Sequence, residues 1–166
     1  MDGPEPVDTR RRTTDLAAGR ARTEAHLIAS IRRARGSVPR TVFGVVEQDR
    51  SGRIVAWTRP AAAILGMTDD QMAGRTSLDP TWSSIDDTGA PMLGHDHPAM
   101  VTVRTGRPTT GVLMGVRRDR SARMDYAWVL VDSFPTELAD GSAGTVTCFH
   151  EVEPHLRATL QLRHSE

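Results

Sequence analysis

Lysine and asparagine are both missing from this chain of 166 residues, and all 21 basic residues are arginine. That bias fits a strongly GC-rich coding sequence and says nothing of function. The 21 acidic residues balance the arginines, so no chain-wide attraction to nucleic acid or anionic lipid is implied. Cys148 is the only cysteine, which excludes an intramolecular disulfide. No apolar run approaches the length of a membrane span or of a signal peptide's hydrophobic region, so a soluble, cytoplasmic protein is expected. Aromatic residues make up only 4% of the chain, which leaves few large rings to fill an interior. No Gly-rich phosphate loop, nucleophile elbow or zinc-protease helix can be read. The adjacent acids Asp69-Asp70 and Asp86-Asp87 point in different directions and suit helix starts or turns better than acid/base catalysis, so an enzyme is not expected.

What is present is most legible between Gly44 and Gly66, GVVEQDRSGRIVAWTRPAAAILG. Val45 and Val46 favour a strand, Asp49 and Gly52 supply turn chemistry, and Arg53–Trp57 returns as the partner strand. Thr58 then stands as an N-cap, with Pro60 in the first helical turn and Gly66 after the last. Further along, Asp69-Asp70 and Asp79-Pro80 each begin a short helix, and 88–91 is a turn. Asp96 is expected to cap a longer helix running to Arg104 and ending at Thr105-Gly106. Three strands follow. Val112, Met114 and Val116 share one face of the first; Tyr126, Trp128 and Leu130 share one face of the second; Val146 and Cys148 alternate with Thr145, Thr147 and Phe149 in the third. Arg117–Met124 is a charged hairpin tip.

Residues 1–13 lack apolar periodicity and are expected to be disordered. A helix is predicted over 14–36, with Gly36 as its stop and small residues (Ala17, Ala18, Ala21, Ala25) ahead of a stripe of Leu27, Ile28 and Ile31. That stripe either packs on the domain's own sheet or forms a homodimer contact, and both can hold together. A short C-terminal helix is predicted over 153–166, with Leu156 and Leu160 on one side.

The strand, turn, strand and small-residue helix of 44–66 resemble the opening of a PAS domain. The resemblance continues through MTDDQMAGR (Met67–Arg75) and through Asp86–Val116, which is similar to a PAS subgroup carrying HPA, TG-x-P and MGV motifs, found in bacterial signalling proteins. Tyr126–Pro135 and Gly141–His155 look like that subgroup's last two strands and exit. About 42–152 is covered. The chain departs from the family pattern in having Thr58 where Asn is common and His150-Glu151-Val152-Glu153 where an acidic residue and Ile-Thr close the last strand. The implied fold is α+β, a five-stranded antiparallel sheet with strands near 43–48, 53–58, 108–118, 126–136 and 143–152. Short helices between 59 and 105 would cover one face, and helices would flank the domain at both ends.

The resemblance also implies a cavity beneath 78–97 for a small, largely apolar ligand, with Trp82, Met100, Met114 and Trp128 as its lining candidates. No cofactor is assigned. His95-x-His97 invites a metal or haem reading, but no further ligands stand at the required spacing, so capping or surface histidines are expected. A flavin-adduct photoreceptor would need a cysteine within Leu78–Ile85, where there is none, and Cys148 lies in a strand as a small buried hydrophobe. Motifs of a sensor kinase, a cyclase or a DNA-reading helix pair are missing. The expected function is therefore ligand sensing that regulates a separate effector in trans, as a homodimer; the alternative is an adaptor or dimerisation unit with a filled cavity.

Overall fold

A computed structural model describes residues 23–75, 83–118 and 125–165. The expected disorder of 1–13, the helix over 14–22, the helix start at Asp79-Pro80, Trp82 and the tip at 119–124 lie outside the described residues. Helix α1 occupies 23–35. Strands β1 (Phe43–Asp49) and β2 (Ile54–Trp57) form a hairpin, followed by helices α2 (Arg59–Leu65) and α3 (Asp69–Met72). Next come strand β3 (Ser84–Ile85), a 3₁₀ turn (Gly94–Asp96), helix α4 (Pro98–Thr105), strands β4 (Thr109–Arg118), β5 (Asp125–Glu137) and β6 (Ala143–Glu151), and helix α5 (Pro154–Ser165). The sheet is antiparallel in the order β2-β1-β6-β5-β4-β3. Among the described residues no helix is long and apolar enough to cross a membrane.

The five expected strands are all present, and β3 is added at the edge. Two residues give no readable alternation. They pair because Gly115 leaves room: a Cβ there would lie 2.9 Å from Ile85 Cγ1.

Local chemistry explains the joints. Asp49 Oδ1 accepts from the backbone N–H of Ser51 and Arg53, closing the β1–β2 turn. Thr58 Oγ1 accepts from Ala61 N as the α2 cap and also from Val45 N at 3.1 Å, which ties the helix start to β1. Gly66 ends α2 in the left-handed conformation at φ 67°. Gly44 sits under α2, where a Cβ would come within 2.6 Å of Ala61 Cα. At α3 the cap is Thr68, in a reciprocal box with Gln71, and Asp69 and Asp70 occupy the first turn.

The cap of α4 corrects the sequence expectation. Asp96 falls inside the 3₁₀ turn, and His97 takes the N-cap position without a side-chain cap bond. Pro98 follows at N1, where no N–H needs a partner.

Strand alternation divides the core in two. On the inner face Val46, Met114, Val116, Val129, Val131 and Phe149 pack with Ile64 and Leu65 of α2 and Met72 of α3. On the outer face Val45, Phe134, Val146 and Cys148 pack against Leu27 and Ile31 of α1, both fully buried. The apolar stripe of α1 thus covers the domain's own sheet, with Ile28 half-buried beside it.

Candidate functional site

Between α4 and the inner face lies a cavity of about 50 Å³. Its floor is β4 and β5, through Met114, Val116, Val129 and Val131, closed at one side by Phe149 of β6 and Leu65 of α2. Gln48 of β1, Thr147 of β6 and His97 also line it, the first residues of α4, Pro98 and Ala99, complete it, and nearly all of the lining surface is apolar.

Each polar group is held in place. His97 is 4% exposed, and its Nε2 shares a hydrogen bond of 2.7 Å with Ser84 Oγ on β3. Burial pulls its imidazole down to about 4 against a smaller opposing effect of Asp96, so the ring is neutral at pH 7. Thr147 Oγ1 and Ser133 Oγ lie 2.9 Å apart. Gln48 Nε2 donates to Gly52 O at 2.7 Å. His97 is thus a buried cavity residue, which corrects the expectation of a capping or surface histidine; His95 is exposed. The sequence signal was weak, because HPA opens a helix whatever its histidine faces, and Ser84 carried no signal at all.

Of the expected lining residues, Met114 is in the cavity wall. Met100 is half-buried on α4 but does not line the cavity, and Trp82 is outside the described residues. Trp128 is a correction. Its neighbours Ala127 and Val129 belong to the inner core, so the pleat turns the indole to the outer face, where the Arg157 guanidinium of α5 lies 4.8 Å from the ring centroid.

Ile28 lines a separate surface groove of about 400 Å³ with Glu24, Arg40, Val42 and Pro60. Cys148 is buried on the outer face, and burial pushes its thiol up to about 12. Such a thiol is not a reactive nucleophile. The adjacent acids serve local structure: Asp86 accepts from Thr88 and the Ala90 backbone, and these bonds hold it below the usual carboxylate range. Among the described residues no group of three or more His, Cys, Asp or Glu could hold a metal ion.

No protein-family model matches the sequence, and no curated protein matches it. Solved structures match the architecture. The PAS domain of an HTR-like protein from Haloarcula marismortui superposes with a TM-score of 0.52 at 15% identity, covering 86% of this chain and 99% of that one. The light-state blue-light photoreceptor Aureochrome1 LOV gives 0.51 at 17% identity, covering 74% and 91%. The PAS domain of nitrogen regulation protein NR(II) from Vibrio parahaemolyticus gives 0.50 at 9% identity, covering 68% and 92%. The fold of this chain is the PAS fold.

Proposed function

We propose that this PAS-fold domain is a non-enzymatic signal-sensing module that takes a small molecule into the His97 cavity. Occupancy passes through the sheet to α1 and α5, and from them to a separate effector protein, with a second copy as a further contact. The observation that carries the reading is a half-open, largely apolar pocket between α4 and the inner face of an otherwise packed core. The strands supply the route. β5 turns Val129 and Val131 into the cavity, while its Trp128 meets Arg157 of α5 and its Asp132 accepts from Arg35 Nε of α1 at 2.9 Å.

The adaptor reading has one observation in its favour: 50 Å³ is far below the roughly 300–1,000 Å³ of drug-sized sites, so flavin or haem does not fit the cavity as it stands. Ala99→Leu, which fills the cavity, separates the two. If the sensor reading holds, amide hydrogen exchange in α1 and α5 changes in this variant. A higher melting temperature with unchanged exchange in both helices would leave only the adaptor. Light scattering on the same samples tests the dimer.

A further inference from the structure

We infer that Glu47 is a pH-operated release for α1: the helix closes on the outer face of the sheet while the Glu47 carboxyl is neutral, and lifts from it, baring Leu27 and Ile31, when the carboxylate forms. The release needs no molecule in the inner pocket.

Register places the carboxyl under the helix. Glu47 pairs with Ala56 of β2 and Val146 of β6, both of which pack in the outer core with Leu27 and Ile31, so its side chain shares their face. It is 6% exposed, and its Oε2 has no hydrogen-bond partner. The strands on either side set an alanine and a valine against it, neither of which titrates. From α1 it meets His26, whose Nε2 lies 3.8 Å from Oε2 on a side chain that is 62% exposed. The remaining charges of the helix are engaged elsewhere or face water: Glu24 accepts from the Arg59 backbone N–H at 2.6 Å, Arg35 Nε donates to Asp132 at 2.9 Å, and Arg32 and Arg33 are exposed.

A neutral carboxyl is tolerated in such a place, whereas a carboxylate loses its hydration with only one solvent-facing imidazole beside it. Burial accordingly holds the group above its usual 4.5, against a smaller opposing effect of His26. Lifting α1 rehydrates the carboxyl and returns it to the usual value. Docking is therefore undiminished below 4.5, weakens by up to about tenfold per pH unit as pH rises through the raised value, and levels off above it. The helix is the element that yields, because an apolar contact and ties at its two ends hold it, while β1, β5 and β6 are laced together by ladder hydrogen bonds.

Amide hydrogen exchange of residues 23–35 in the full chain, corrected for its intrinsic pH dependence, is compared at pH 4 and pH 7 with that of Glu47→Gln, which keeps the shape and cannot ionise. A helix away from its sheet frays. Protection of 23–35 is expected to fall at pH 7 in the unmodified chain and to hold in Glu47→Gln, while β5 and β6 keep theirs in both. Cys148, the only thiol, lies 2% exposed in the outer core that Leu27 and Ile31 complete, and so reports the same event. At pH 7 it should react with 4,4′-dithiodipyridine faster in the unmodified chain than in Glu47→Gln. Glu47→Leu serves if the glutamine variant does not fold. Equal protection of 23–35 in the two chains at pH 7, or a loss shared equally by β5 and β6, overturns the inference.

Discussion

On the outer face of the sheet, α1 presses Leu27 and Ile31 onto Val45, Val146 and Cys148, whereas the inner face leaves a void between α4 and Val129 and lines part of it with hydroxyl, amide and imidazole groups. The outer contact is a helix stripe meeting a strand stripe, and dispersion together with burial accounts for it. The inner contact includes two hydroxyl pairs, Thr102 with Thr109 and Ser133 with Thr147, which fix positions more than they add stability. Both faces are packed apolar cores, and only the inner one also leaves a pocket.

Each face also buries one group that titrates in the acid range, and the two respond to pH with opposite sign. Glu47, next to Val46 in β1 but on the outer face, is 6% exposed; its Oε2 has no hydrogen-bond partner and lies 3.8 Å from His26 of α1. Burial raises its carboxyl above the usual 4.5, partly offset by His26. Its contribution is therefore intact below 4.5 and lost as pH rises through the higher folded-state value. His97 is a base whose folded value is depressed from 6.5 to about 4. The unfolded chain takes up that proton first, so stability is lost as pH falls from 6.5 towards 4.

The largest expected effect tests the outer face. Leu27→Ala should cost about 2–5 kcal/mol in urea denaturation, the range for a fully buried leucine. Ile28→Asp should destabilise by less, because Ile28 is only half-buried. If Ile28→Asp proves the more damaging while Leu27→Ala is mild, the helix's main contact is with another molecule rather than the sheet.

Next in size is the pH asymmetry. Between pH 6.5 and 4, His97→Gln should remove an acid-induced loss on the order of 3 kcal/mol from the stability profile. Glu47→Gln should do the reverse, gaining stability relative to the unmodified chain as pH rises above 4.5. Parallel profiles for either variant would show that its group is solvated in the folded state.

The smallest effect concerns Thr145, fully buried on the inner face with an Oγ1 that has no hydrogen-bond partner. Thr145→Val keeps the shape and removes the unsatisfied hydroxyl, so the melting temperature should stay level or rise, by no more than about 1 kcal/mol in free energy. A clear loss would place a water in that part of the inner core.

Alternation and turn chemistry made the centre of each main strand legible, with Asp49 at the first hairpin and Gly66 at the end of α2 acting on atoms a few residues away, while the fuller strand bounds came from the family resemblance. Capping at α4 was misread because two candidates, Asp96 and His97, stand side by side, and the 3₁₀ turn that consumes Asp96 depends on where the chain enters the helix. β3 was missed for a related reason, since two residues pair only because Gly115 opposes them. For the candidate site, Met114 could be placed from alternation within its strand. Trp128 has an equally clear alternation, but nothing in the sequence says which face of β5 is the inner one.

By itself, then, the sequence determined the order of the elements, the pairing partners that its turns enforce and the apolar stripe of α1, since these follow from interactions within a few residues. Only the tertiary structure decided which face of each strand meets the helical layer, that His97 turns inward to Ser84 rather than outward to water, and how large a space remains. Those outcomes depend on the packing of segments far apart in the chain, where a side chain's environment is set by neighbours that its own sequence context does not name.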